Sequence, residues 1–228
     1  MDVAATDLVQ TIALTMGVAW ASGINLYAAL FMLGWMGSSG NMTLPADMQV
    51  LTNPLVMGAA GFMYCVEFFA DKTPGIDTGW DAIHSFIRIP AGAMLAASAV
   101  GDVGPGVEIA AAILGGTLAT GSHLTKAGSR VLINTSPEPF SNWVASVTED
   151  ALVIGGLWTA LNHPWLFILL LVLFIALMIW LLPKLWRGIK GVLRFIGRVL
   201  GIVKDPPEAV AAETAPKQAE PVAHPPDN

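Results

Sequence analysis

The sequence predicts an all-α membrane protein of about six transmembrane helices, arranged as a 3+3 inverted repeat. Hydrophobic residues make up 54% of the chain and charged residues only 12%, whereas soluble domains average about 25% charged residues. Six apolar stretches are close to the roughly 20 residues that a helix needs to cross the hydrocarbon core. A six-residue phrase also occurs twice in varied form, as ASGINL at 21–26 and as ATGSHL at 119–124.

The six spans are expected in a transmembrane domain covering 1–183. They are placed at 8–36, 53–71, 86–103, 106–131, 141–161 and 164–183. The first lacks the basic leading region of a signal peptide and is too long for one, so we interpret it as a span. The third opens with Arg88 and Pro90, and the last is wholly apolar over 165–182.

The distribution of basic residues predicts the orientation. Lys and Arg accumulate in short cytoplasmic loops, and the predicted outer segments 37–52, 102–106 and 162–164 contain neither residue. With six spans, all eleven basic residues fall on or toward the inside. Both termini are therefore predicted to be cytoplasmic.

The repeated phrase divides the domain into halves at 8–103 and 106–183. Because it lies in spans one and four, which would cross in opposite directions, the repeat is predicted to be inverted, with a binding site near the membrane midplane. Glu67 in span two and Glu149 in span five extend the match. The alternative is that both phrases serve only close helix packing, which favours small residues in membranes.

Polar side chains inside these spans are the candidate site residues, because an unpaired polar group in lipid costs several kcal/mol. The predicted substrate-binding residues are Ser22, Gly23, Asn25, Thr120, Gly121, His123 and Lys126. Ionisable groups within spans often belong to proton relays. The predicted proton-coupling residues are Glu67, Glu149 and Asp150. We interpret Arg130 as a topology anchor whose side chain reaches the interface.

Two polar loops, 67–90 and 134–142, are unusually rich for a small membrane protein. In the first, Asp77 or Thr78 is predicted to cap a short amphipathic helix. In the second, Ser136 followed by Pro137 is predicted to start span five. The sequence leaves open whether either loop is catalytic or structural.

The chain changes character after Pro183. Basic residues cluster on one side of a predicted amphipathic helix at 184–204, which would lie on the anionic lipids of the inner leaflet. Residues 205–228 are rich in Pro, Ala, Glu and Gln, a composition that predicts a disordered cytoplasmic tail.

The strings at 20–27, 67–90 and 121–149 resemble a bacterial membrane-protein family catalogued as domain of unknown function 4126. The resemblance covers roughly 10–180. It implies a multi-spanning protein of the bacterial inner membrane and supplies no activity, cofactor or catalytic residue.

The function predicted from these features is a small secondary transporter or carrier of an unknown small solute. One alternative is an enzyme acting on a lipid or polyprenyl phosphate headgroup. In that enzyme, Glu67, Asp71, Asp77 and Asp81 would hold a divalent ion, and His84, Arg88 or Lys126 would contact phosphate. A second alternative is a structural or partner-binding membrane protein.

No catalytic residue, metal site or cofactor is predicted. Cys65 is the single cysteine, and the sequence has no phosphate-binding glycine loop. Membrane lipids are the expected partners and nucleic acid is not. The substrate, the coupling ion, the direction of transport and the oligomeric state stay open, homo-oligomers included.

Overall fold

The computed structural model describes residues 3–73, 75–101, 103–135 and 139–200. Within these ranges the regular structure is entirely helical, as predicted, and contains no strand. The elements are α1 (Val3–Ser38), a 3₁₀ helix (Ala46–Thr52), α2 (Pro54–Ala70), α3 (Ile76–Ala99), α4 (Pro105–Ile133), α5 (Pro139–Asn162) and α6 (Pro164–Val199).

The outer surface of the helices is apolar. Leu169, Leu173, Ile113 and Val147 are each more than half exposed, as are many similar side chains. In the described residues, four helices (α1, α4, α5 and α6) are long and apolar enough to cross a membrane, and a fifth span results if the 3₁₀ helix and α2, bent by 69°, cross together. These features fit an integral membrane protein, but the predicted count of six spans is not confirmed.

The first helix folds back on itself. Asn25 has non-helical backbone angles (φ −144°, ψ 95°) and interrupts α1. Asp7 and Leu14 from the first half line the same cavity as Met36 from the second half. A straight helix would hold Asp7 and Met36 about 40 Å apart at 1.5 Å per residue. We conclude that α1 is a helical hairpin with Asn25 at its tip.

The hairpin brings the two ends of α1 to the same side of the bundle. The cavity also contains Ala99 from the end of α3 and Asn162 from the end of α5, and we call this side of the bundle the cavity end. The α2–α3 and α4–α5 connections lie at the opposite side, the loop end. Both ends of α1 therefore lie at the cavity end, whereas the sequence predicted one crossing.

A seam of small residues joins α1, α3 and α4. A Cβ added at Gly115 would contact Ala19 and Ala96, and one added at Gly23 would contact Ala119 and Ser122. Such residues let helix backbones approach closely. The order of these contacts also shows that the first half of α1 runs parallel to α4.

This parallel course bears on the predicted inverted repeat. An inverted repeat requires spans one and four to run in opposite directions, and α4 shows no break like the one at Asn25. The structure therefore does not confirm the 3+3 arrangement. The two similar phrases pack against each other, so the helix-packing alternative accounts for their small residues.

The third helix is continuous where the sequence predicted two elements. α3 begins at Ile76, after Gly75 with a φ of 85°, and passes Pro90 before ending at Ala99. The predicted short amphipathic helix is thus the first half of α3, and its N-cap residue is Gly75 rather than Asp77 or Thr78. A positive φ suits glycine, which has no Cβ.

The last helix packs on the others through long side chains. The ring of Trp20 meets those of Phe167 and Phe174 edge-on, with centroids 6.1 and 5.9 Å apart, and Met178 covers Gly121.

The same helix does not stop where the sequence predicted. α6 continues through Pro183 to Val199, so no separate helix starts at 184. By its contacts the chain divides after Ile189. Residues 201–204 of the predicted amphipathic helix, the predicted tail 205–228, and Ser136 and Pro137 lie outside the described residues.

Candidate functional site

Buried charged side chains gather between the tip of the α1 hairpin and the loop end. Six carboxylates and four cations lie together here among the described residues, and we call them the ion-pair network; all but Lys72 and Asp150 form direct ion pairs. They are Glu67, Asp71, Asp77, Asp81, Glu149, Asp150, Lys72, Arg88, Lys126 and Arg130. All are buried except Glu149, whose side chain is 16% exposed. Ionisable groups inside a membrane bundle mark functional sites by default.

The broken backbone at Asn25 is held by side chains from α4 and α5. The Asn25 Oδ1 atom accepts a 2.9 Å hydrogen bond from the Ala28 amide, which caps the second half of α1. Its Nδ2 donates to Asp150 Oδ1 at 2.9 Å. The Ile24 carbonyl accepts from Lys126 Nζ at 3.1 Å.

Lys126 joins three elements at this point. Besides the α1 carbonyl, its Nζ donates to Asp71 Oδ2 at 2.7 Å and to Glu67 Oε1 at 3.3 Å, both on or just after α2. The Asp81 and Glu149 carboxylates each lie 3.6 Å from the same nitrogen. A lysine can make these contacts because its ammonium is a compact charge on a flexible stem.

Arg88 fills the middle of the network and is fully buried. Its guanidinium donates to Glu67 and, at 2.9 Å, to Asp81. His123 lies alongside, with Nδ1 3.4 Å from Arg88 Nη1 and Nε2 2.6 Å from the Ser85 hydroxyl. The α3 positions that take part follow the helical repeat, so one face of α3 carries Asp77, Asp81, His84 and Arg88.

Arg130 lies closer to the loop end than Lys126 on the same helix, α4. It holds both oxygens of Glu149, with Nε–Oε1 at 3.2 Å and Nη2–Oε2 at 2.6 Å, and donates to the Asp71 carbonyl at 2.7 Å. This bidentate geometry is the strongest form of such a pair. The prediction of an interface anchor was wrong, because the side chain is 0% exposed.

Amide side chains tie the two connections at the loop end together. Asn134 Nδ2 donates to both carboxylate oxygens of Asp77, at 2.8 and 3.0 Å, and to the Thr78 hydroxyl. Asn142 Nδ2 in turn donates to Asn134 Oδ1 at 2.7 Å. The α2–α3 and α4–α5 hairpins are thus fastened to each other.

Lys72 stands apart from the other cations. It donates to the Ser146 hydroxyl at 3.0 Å, and its Nζ lies 3.0 Å from the centre of the Phe68 ring. Because it is 5% exposed and has no carboxylate in hydrogen-bonding contact among the described residues, desolvation lowers its pKa below the usual 10.5.

Four buried carboxylate oxygens have no hydrogen-bond partner in the described part of the chain. They are Glu67 Oε2, Asp71 Oδ1, Asp81 Oδ2 and Asp150 Oδ2. A buried acceptor without a donor costs free energy. These four oxygens are therefore the acceptors of the network whose hydrogen-bonding capacity is unused in the described part of the chain.

The part of the chain that matches a known family contains every residue of the network. The family described as Domain of unknown function (DUF4126) matches residues 12–184, most of the 228-residue chain. The chain belongs to this family. No curated protein and no solved structure matches the chain.

Within the DUF4126 domain, the predicted site residues divide into two groups. Six lie in or beside the ion-pair network: Asn25, His123, Lys126, Glu67, Glu149 and Asp150. The other four, Ser22, Gly23, Thr120 and Gly121, lie at helix contacts or bond within their own helix. The Ser22 hydroxyl donates to Ala19 O at 2.9 Å and that of Thr120 to Gly116 O at 2.7 Å.

The sequence-based site list omitted several members of the network. Asp71, Asp77, Asp81 and Arg88 entered only as parts of the enzyme alternative, and Arg130 only as an anchor. The helical spacing of Asp77, Asp81, His84 and Arg88 could have identified the α3 face. Among the described residues, no group of three or more His, Cys, Asp or Glu side chains is arranged to hold a metal ion.

Proposed function

We propose that the protein is a small proton-coupled secondary carrier of the bacterial inner membrane, with its passage at the hairpin tip and the ion-pair network. The observation that carries this proposal is the break at Asn25. Non-helical backbone at membrane depth is tolerated only where it is buried in protein or lines a water-filled cavity. Broken helices whose ends meet charged groups are typical of carrier sites.

The charge balance of the network supports proton coupling. Six carboxylates face four cations among the described residues, and uncompensated buried charge costs several kcal/mol. With neutral histidines and ionised carboxylates, two bound protons or other cations would balance the network. Of the four carboxylates that keep an unpartnered oxygen in the described part of the chain, Glu67 and Asp150 are also the ones that the sequence predicted for proton coupling, and they are the proposed acceptors. Both Glu149 oxygens are bonded to Arg130.

Lys126 provides a link between protonation and movement. It holds the α1 tip through Ile24 while bonded to the Glu67 and Asp71 carboxylates. A proton on Glu67 would weaken the attraction between α2 and Lys126, and so favour an arrangement in which the tip is released. Two arrangements that differ in proton affinity are the minimum requirement for a coupled carrier.

Infrared spectroscopy of the purified protein tests the protons directly. At neutral pH we expect a carbonyl stretching band from protonated carboxylic acids, which loses intensity in Glu67→Gln and in Asp150→Asn. Asp47→Asn is the matched control, because Asp47 is exposed on the 3₁₀ helix. An unchanged band in both network variants would contradict the proposed proton sites.

Transport itself is tested in proteoliposomes that contain a pH-sensitive dye. Ammonium, choline, glycerol, glycine and acetate are added outside in turn, and the rate of internal pH change is compared with protein-free vesicles. We expect a saturable response to at least one solute, lost in Glu67→Gln and kept in Asp47→Asn. No protein-dependent response to any of the five would count against the carrier.

No observation in the described residues favours the two alternatives. Phosphate contacts in the enzyme would need His84, Arg88 or Lys126. Arg88 and Lys126 are buried and paired with carboxylates, and His84 is buried with its ring nitrogens against the Trp80 carbonyl and the Tyr27 hydroxyl. The tail needed for partner recruitment lies outside the described residues.

A further inference from the structure

A second polar region lies at the cavity end, remote from the ion-pair network. A cavity of about 430 Å³ opens there, lined by both halves of the α1 hairpin, the segment after α1, and the ends of α3 and α5. Its most buried lining residues are apolar: Leu14, Ala99 and Ala160. Small-molecule sites typically have this size and an apolar base with a few polar groups.

The polar groups around the opening define the chemistry of a ligand. They are Asp7, Gln10, Thr11, Asn41, Thr43 and Asn162. Asp7 is the only charged residue in the described lining, and no Lys or Arg contributes. Carboxylate, amide and hydroxyl oxygens accept hydrogen bonds, while a carboxylate repels anions.

The hairpin connects this cavity to the network. Leu14 and Met36 in the lining are each eleven residues from Asn25, on the two arms that meet at the tip. A ligand that spread or closed the arms would act on the tip, where Lys126 bonds the Ile24 carbonyl and Asp150 bonds the Asn25 side chain.

From this arrangement we propose that the cavity is a binding site for a small organic cation. Resting on the carrier function proposed above, it is the site that receives solute on that side of the membrane. Because the ion-pair network has more carboxylates than cations, the passage from the cavity to the hairpin tip should also favour cations.

Thiol labelling tests the charge preference of the cavity. The full chain with Cys65→Ser carries one new cysteine, Thr11→Cys or, as a second variant, Thr43→Cys. Labelling rates are measured with a cationic trimethylammonium and an anionic sulfonate methanethiosulfonate. We expect Asp7 to favour the cationic reagent about fivefold at low salt. Ser39→Cys, exposed at the same end, corrects for intrinsic reagent reactivity.

Protection by choline tests binding itself. Choline chloride should slow labelling at residue 11 or 43, while sodium acetate at equal ionic strength should not. Asp7→Asn should abolish both protection and charge preference, and Asp47→Asn should change neither. Equal labelling by the two reagents, or equal choline protection with and without Asp7, would overturn the site.

The two proposals can fail separately. Choline protection without any pH response in proteoliposomes would keep the cation site and reject the carrier. A solute-driven pH response without choline protection would keep the carrier and reject this site.

Discussion

Two buried lysines, Lys126 and Lys72, differ in what surrounds them. Lys126 contacts the Glu67 and Asp71 carboxylates, whereas Lys72 contacts a hydroxyl, a carbonyl and an aromatic ring. Removing one partner of a buried ion pair leaves the other charge uncompensated, at a cost of about 3–5 kcal/mol. The two sites therefore form a matched pair for mutagenesis.

We expect Lys126→Met to lower the free energy of unfolding by about 3–5 kcal/mol and Lys72→Met by only about 1 kcal/mol. Equilibrium unfolding of the purified protein in detergent measures both. Equal losses would mean that the carboxylates around Lys126 are neutral without it.

The stability contribution of Lys72 should depend on pH. Its pKa in the folded protein is lowered from 10.5, so protonation favours the unfolded chain. Its contribution to stability should therefore increase as pH rises through the interval between the folded pKa and 10.5. The melting temperature of the wild type should rise relative to Lys72→Met over this alkaline interval. A difference that is flat or falls with pH would contradict the lowered pKa.

Residue types predicted part of the site because a polar side chain inside an apolar span is conspicuous. Asn25, Glu67 and Lys126 were identified on that basis. Their partners could not be, since the hydrogen-bond partners of Lys126 lie 55 to 102 residues away in the chain. Arg130 was misinterpreted because its position near a helix end is equally compatible with a lipid-interface anchor.

At the scale of helices, the small-residue seam should be more sensitive to added volume than the rest of the bundle. A Cβ at Gly23 would meet the Ala119 carbonyl and the Ser122 Cβ, whereas one at Gly58 of α2 would meet nothing within 4 Å. Gly23→Ala should lower the free energy of unfolding by about 1–3 kcal/mol. Gly58→Ala should be neutral or stabilising by up to about 1 kcal/mol. Comparable losses in both variants would argue against the close α1–α4 contact.

Helix positions were predictable from apolar length, but the course of α1 was not. Residues 8–36 contain one break, and its only local sign is a single asparagine. The groups that bond the tip are distant in the chain: Asp150 bonds the Asn25 side chain and Lys126 bonds the Ile24 carbonyl. The continuity of α3 was missed for a different reason, because its polar first half resembles a surface helix until Arg88 is paired with Glu67 and Asp81.

For the whole molecule, the hairpin gives a topology that reporter tags can test. If α1 doubles back and α2 to α6 each cross once, the two termini are expected on opposite sides of the membrane. The basic C-terminal part of α6 should be cytoplasmic. A tag before Met1 should therefore be accessible to external protease in spheroplasts, and a tag after Asn228 only after lysis. A cytoplasmic N-terminal tag would instead support the six-crossing arrangement.

The hairpin also has a consequence for synthesis of the protein. Asn25 is synthesised before Asp150, which follows 125 residues later, about ten seconds at common elongation rates. Until then the Ile24 carbonyl lacks Lys126 and the Asn25 side chain lacks Asp150, and unpaired polar groups of this kind are costly in lipid. The tip therefore acquires its hydrogen-bond partners late in synthesis, and a nascent chain truncated before α5 should be a target for quality-control proteolysis.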